Sequence, residues 1–159
     1  MKEKILDLKQ LTAESHRLRE SGRRLVATNG CFDLLHVGHV RYLAVARKLG
    51  DVLVVGLNGD ESVRALKGEG RPLNNERDRA EVLAALESVD YVTIFPQVRA
   101  TEFLTAAQPA AYVKGGDYTP ETLNAEERGA LEKCNAIIKI IPFEKGYSTT
   151  GLLEKLRDG

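Results

Sequence analysis

Residues 52–57, Val52-Leu53-Val54-Val55-Gly56-Leu57, carry no polar side chain. A strand this apolar must be covered on both faces, as strands of a parallel sheet are. Apolar β-type runs alternate with helical patterns along the rest of the chain. Leu25-Val26-Ala27-Thr28 reads as a short buried strand ending at Asn29-Gly30, and Tyr91 to Phe95 as a strand stopped by Pro96. Ala111-Tyr112-Val113-Lys114 and Ala136 to Ile141 are two more. From Gly38 to Leu49 the spacing puts Val40, Leu43, Ala44, Ala46 and Leu49 on one helical face, closed by Gly50. Glu76 to Val89 predicts a helix with Val82, Leu83 and Leu86 inward, and Ala100 to Ala107 another. Thr119-Pro120-Glu121 opens a further helix, with a capping Thr and Pro at the first helical position. Leu152, Leu153 and Leu156 mark the last one.

Five strands joined by helical crossovers predict an α/β fold, a doubly wound parallel sheet with right-handed connections. No repeat, low-complexity tract or linker interrupts it. A single domain over residues 1–159 is expected, with residues 1–22 a helical lead-in and 23–159 the α/β core. In such a sheet a ligand sits beyond the carboxyl ends of the strands, where the strand order reverses.

Composition narrows the partner. The 159 residues are 43% apolar and 29% charged, as in globular proteins. With 23 Lys and Arg against 23 Asp and Glu, there is no basic excess for nucleic acid. The charge is split, however: residues 1–80 hold 15 basic and 11 acidic side chains, residues 81–159 hold 8 and 12. A local basic surface suits a small anion better than a long polyanion. No apolar run reaches the ~18–20 residues of a membrane span. No signal-peptide h-region is present, and Cys31 and Cys134 form no CxxC pair. A reduced, cytoplasmic protein is the expectation.

Neither common glycine-rich phosphate fingerprint occurs. The chemistry concentrates after the first strand, in Asn29-Gly30-Cys31-Phe32-Asp33-Leu34-Leu35-His36-Val37-Gly38-His39. A helix N-terminus there offers unpaired N–H donors and partial positive charge to a phosphate. Gly30 lets the backbone approach an anion, and Gly38 leaves space between two imidazoles for a phosphoryl group or nucleotide ring. His36 and His39 can donate hydrogen bonds to charge developing on a transferring phosphoryl group. The spacing of Cys31, His36 and His39 matches no usual zinc pattern, so no metal site is expected. His16, among Arg and Glu on the leading helix, reads as a solvated residue.

His36-Val37-Gly38-His39 resembles the signature of the HxGH nucleotidyltransferase superfamily. The resemblance extends from about Leu25 to Leu156. Thr28-Asn29-Gly30-Cys31-Phe32-Asp33, Lys114-Gly115-Gly116-Asp117-Tyr118 and Gly146-Tyr147-Ser148-Thr149-Thr150 are similar to the adenylyltransferase domain of the bifunctional heptose kinase/adenylyltransferase. The resemblance implies a Rossmann-like fold of the nucleotidyltransferase type. It implies transfer of AMP from ATP to D-glycero-β-D-manno-heptose 1-phosphate, giving ADP-heptose and pyrophosphate. The alternative is a cytidylyltransferase acting on glycerol 3-phosphate or a similar alcohol phosphate; those relatives carry GTFD where this chain has Gly30-Cys31-Phe32-Asp33. The bifunctional protein also has a kinase domain for which 159 residues leave no room, so a stand-alone transferase is expected.

By the same resemblance His36, His39 and Lys67 are catalytic, although Lys67 reads equally well as a solvated helix end. Asn29, Gly30, Cys31, Phe32, Gly38, His39, Arg79, Lys114, Gly116, Asp117, Tyr147, Ser148 and Thr149 are implied to bind nucleotide. For Arg79 the competing reading is an exposed ion pair with Glu76, and for Ser148 and Thr149 it is a helix cap. Asp33 and Asp60 are candidates for acceptor or metal binding, and Asp60 could instead cap a helix. Mg²⁺ is expected to arrive with ATP. A homodimer is one further expectation, since dimers are common among the relatives.

Overall fold

The computed structural model describes residues 2–116, 118–142 and 145–158. Five strands, β1 (Leu25–Gly30), β2 (Val52–Asn58), β3 (Tyr91–Phe95), β4 (Ala111–Gly115) and β5 (Ile137–Ile141), form one sheet in the order β3-β2-β1-β4-β5. Every pairing is parallel. All seven residues of β2 are buried, because it lies inside the sheet with helices on both faces.

Seven α-helices accompany the strands: α1 (Leu8–Glu20), α2 (Val37–Arg47), α3 (Asp60–Lys67), α4 (Glu76–Ala84), α5 (Thr101–Ala107), α6 (Ala125–Lys133) and α7 (Thr149–Asp158). One apolar layer joins Leu11 and Leu18 of α1, Phe103 and Leu104 of α5 and Leu131 of α6 to Ala27, Val54 and Tyr112 of the sheet. The other joins Leu43 and Ala46 of α2 and Ala80 and Leu83 of α4 to Val26, Leu53, Val55 and Val113. Alternate residues of each strand feed the two layers, as the pleat requires. Among the described residues no helix is long and apolar enough to cross a membrane.

Several boundaries differ from expectation. Thr119-Pro120 opens only a 3-10 turn over Pro120–Thr122, because Leu123 is extended. Helix α6 starts afterwards, where the Asn124 side chain accepts from the N–H groups of Glu126 and Glu127. Helix α4 stops at Ala84, with Arg79, Ala80, Leu83 and Ala84 buried. Val82, a 100° step from Leu83, is turned outward and 52% exposed. Val40, in the first turn of α2, and Leu156 of α7 are likewise exposed. His16 is exposed, 3.4 Å from Glu20.

Strand order reverses at β1, which lies between β2 and β4. The β1–β4 ladder covers only Val26↔Ala111 and Ala27↔Tyr112, whereas β1–β2 runs on to Gly30↔Leu57. Beyond Ala27 the two strands therefore part. A crevice opens at their carboxyl ends, where an open α/β sheet takes its ligand.

Candidate active site

The turn after β1 enters the crevice. Phe32 has a left-handed backbone, φ 45°, and its buried ring packs tilted on His39 with centroids 5.3 Å apart. Gly30 serves that ring: a Cβ there would lie 2.9 Å from Phe32 Cε2, so its missing side chain makes room for Phe32. His36 caps α2 with an extended backbone, and its N–H donates to His39 Nδ1 at 3.3 Å. With Nδ1 accepting, neutral His39 carries its proton on Nε2 and can donate outward.

The two imidazoles stack with centroids 3.8 Å apart and planes 26° apart. Gly38 was expected to keep space between them for a ligand. Instead the His36 ring fills that space, since a Cβ on Gly38 would lie 2.9 Å from His36 Nδ1 and 3.1 Å from Tyr147 Cβ. Burial lowers the His39 pKa to about 4, with His36 beside it acting in the same direction. Burial also lowers His36. Both rings are thus neutral donors near pH 7, and His36 Nδ1 is buried with no partner among the described residues. A buried orphan of this kind is common where a ligand completes a site.

The start of α7 docks onto this turn. Ser148 Oγ accepts from Gly151 N–H at 2.8 Å and caps the helix, as the sequence allows. Thr149 Oγ1 donates to Leu34 O at 3.1 Å, the Tyr147 ring lies 6.4 Å from the His36 ring, and the Arg41 guanidinium lies 5.6 Å from the Tyr147 ring centroid. The first and last motifs, more than 100 residues apart in sequence, are thereby joined. Lys114 reaches over the Tyr118 ring at 4.9 Å, and Gly116, φ 111°, donates to Ile141 O. Asp117 lies outside the described residues.

The structure gives the remaining candidates different work. Arg79 is neither exposed nor paired with Glu76. It is 2% exposed and donates to Cys31 O, Asn58 O and Asn74 O and to Asp60 Oδ1, each at 2.8–2.9 Å. This guanidinium ties the ends of β1 and β2 to α3 and α4 and engages one oxygen of the Asp60 carboxylate. Asp33 is also occupied. Its carboxylate accepts from Arg71 Nε, Leu73 N and Asn74 N. Burial alone would raise its pKa; the two backbone donors and Arg71 outweigh that and leave it lowered. Lys67 is exposed at the end of α3. Burial raises the Cys31 thiol, and the charges of Lys67, Arg79 and Arg71 oppose the rise.

Arg71, Arg41, Tyr42 and Tyr112 escaped the sequence reasoning. Tyr42 OH donates to Val113 O at 3.0 Å and meets Thr28 Oγ1 at 2.6 Å, and Tyr112 OH donates to Asn29 Oδ1 at 2.5 Å. A tyrosine inside an apolar pattern gives no signal of where its hydroxyl will land. Among the described residues no group of three or more His, Cys, Asp or Glu side chains is placed to hold a metal.

Similarity to known proteins agrees with this geometry. The chain is 50% identical to the bifunctional protein HldE of Geotalea uraniireducens over 156 residues, covering 98% of this chain and 31% of that protein. An HldE from Aliarcobacter butzleri is 45% identical over 152 residues, covering 96% and 30%. The chain therefore spans about a third of the length of these curated relatives. Among solved structures, a lipopolysaccharide core biosynthesis protein from Thermoplasma volcanium superposes with TM-score 0.62 at 28% identity, over 80% of this chain and all of that one. Residues 27–155 match the model of the cytidylyltransferase-like family. That span takes in the β1 turn, the two stacked histidines and the α7 cap, and the chain belongs to the cytidylyltransferase-like family.

Proposed function

We propose that the chain is a nucleotidyltransferase that moves the AMP unit of ATP onto D-glycero-β-D-manno-heptose 1-phosphate, giving ADP-heptose and releasing pyrophosphate. The observation that carries this is the stacked His36–His39 pair at the start of α2, beside the crevice between β1 and β4. The kinship with HldE and with a lipopolysaccharide core biosynthesis protein supports the heptose acceptor. A cytoplasmic homodimer is part of the same reading; the compartment rests on the sequence pattern and the dimer on the resemblance.

An oxygen of the sugar phosphate attacks the α-phosphorus in line, the α–β bridging P–O bond breaks, and pyrophosphate leaves with that electron pair. No covalent enzyme intermediate is needed, so the protein positions the reactants and stabilises charge. Neutral His39 donates through Nε2–H to the α-phosphate, and His36 shares that task. The N–H groups opening α2 add partial positive charge. Lys67 supplies an exposed ammonium to the phosphates, and Ser148 and Thr149 present the N-terminus of α7 to the departing pyrophosphate. Lys114 at the end of β4, with Gly116 and Asp117 next in sequence, belongs to the segment where ribose or base would be read. Asp33 and Asp60 hold the site's scaffold rather than the acceptor. A divalent ion such as Mg²⁺ would supply charge neutralisation on the triphosphate, and among the described residues no cluster of His, Cys, Asp or Glu is placed to hold it independently of the nucleotide.

Pyrophosphate release, measured with ATP or CTP crossed with heptose 1-phosphate or glycerol 3-phosphate, tests the proposal. Turnover is expected with ATP and heptose 1-phosphate. Turnover with CTP alone would overturn it in favour of a cytidylyltransferase.

A further inference from the structure

The parting of β1 and β4 leaves two polar side chains at the mouth of the crevice, Thr28 and Asn29, and each is met by a tyrosine. Tyr42, from α2, bridges Thr28 Oγ1 and Val113 O across one face of the gap. Tyr112, on β4, meets Asn29 on the other face, because Ala27, Asn29 and Tyr112 project to the side covered by α1, α5 and α6. Tyr112 is fully buried, and among the described residues its hydroxyl has one partner, Asn29 Oδ1 at 2.5 Å.

This contact sets the polarity of the Asn29 carboxamide. A carboxamide has an accepting and a donating end, and its rotamer alone does not choose between them. With Oδ1 accepting the tyrosine proton, Nδ2 is the end left over. Asn29 is half-buried, and its Nδ2 donates to none of the described groups. Burial pushes the Tyr112 phenol well above its ordinary range, so the hydroxyl keeps its proton and remains the donor. At a crevice mouth flanked by the β1 turn, a fixed amide donor suits the oxygen of a phosphate ester. A flipped amide would present its carbonyl oxygen to the same anion and repel it.

We infer that Tyr112 is a positioning residue that fixes the Asn29 amide with its NH₂ facing the crevice, as a hydrogen-bond donor to a non-reacting phosphate ester oxygen of the substrates. This rests on the transferase reading above. The donor serves ground and transition states alike, so its loss raises KM and Kd and leaves kcat little changed.

A double-mutant cycle with Tyr112→Phe, Asn29→Ala and the double variant tests it, read as kcat and KM for pyrophosphate release, as Kd for ATP and for the sugar phosphate, and as Tm. Asn29→Ala is expected to raise KM and Kd for one substrate by about 10-fold, the scale of one hydrogen bond to a charged group. Tyr112→Phe should raise the same constants by a smaller factor and add nothing in the Asn29→Ala background. Independent, multiplying effects, or a Tyr112→Phe enzyme with unchanged constants, would refute the positioning role. A wild type that binds ATP without releasing pyrophosphate would refute the transferase reading, while coupling in Kd would still decide the role of Tyr112.

Discussion

At the scale of single residues, neutrality and close packing set what the site can do. Below the ordinary histidine value near 6.5 the unfolded chain takes up a proton at His39 that the folded chain refuses until about pH 4. The stability involved is therefore fully present above pH 6.5 and is lost as the pH falls toward 4. Thermal unfolding from pH 7 to 4.5 should show a steeper fall in Tm for wild type than for His39→Asn, with His36 sustaining part of the slope in that variant. The glycine between the rings makes a second prediction. Gly38→Ala places a methyl 2.9 Å from His36 Cε1 and 3.1 Å from Tyr147, so the His36 ring must leave its stacked position. Its kcat for pyrophosphate release should fall by about 10²-fold, the size of a lost transition-state donor. The four residues of His36-Val37-Gly38-His39 stood out in the sequence as a motif at a helix start. Their stacking did not, because it depends on Phe32 and Tyr147 closing on the two rings from either side.

At the scale of elements, strands and helices followed from periodicity, while their junctions followed from side-chain hydrogen bonds between distant segments. The segment between α3 and α4 shows this. Gly68 and Gly70 have φ of 95° and 84°, and the loop they shape returns Arg71, Leu73 and Asn74 to the carboxylate of Asp33. Asp33→Ala removes an acceptor shared by three donors and leaves a partly buried guanidinium unpaired. It should cost about 2–4 kcal/mol in urea unfolding, and proteolysis between residues 68 and 75 should become faster. A wild-type cleavage rate in that variant would count against Asp33 as the loop's anchor. From the sequence, Asp33 stood out only as an acid after a strand, which left acceptor binding open. In the fold this chain's own donors, Arg71, Leu73 and Asn74, meet the carboxylate.

Across the whole molecule, Arg79 is the group on which the carboxyl ends of β1 and β2 converge. Arg79→Met keeps most of the apolar stem but strands Asp60 and three carbonyl oxygens. A loss of about 3–5 kcal/mol is expected by urea unfolding, as for a broken buried ion pair. An Arg79→Met protein as stable as wild type would show that the sheet end holds without it. The sequence by itself determined the alternation of strand and helix, the burial of β2 and the place of the turn after β1. Those properties are written in which residues are apolar and how they are spaced along one chain. The tertiary structure alone decided that Arg79 is buried and structural, that Asp33 binds a loop, that Tyr112 orients Asn29, and that Gly56 is small because a Cβ there would meet the Phe103 ring at 2.6 Å. Asp33 and Arg71 lie 38 residues apart, Cys31 and Arg79 48, and Asn29 and Tyr112 83, and spacing carries no information about such pairs. They meet because the sheet order sets β1 between β2 and β4 and brings the segments that follow those strands around one crevice.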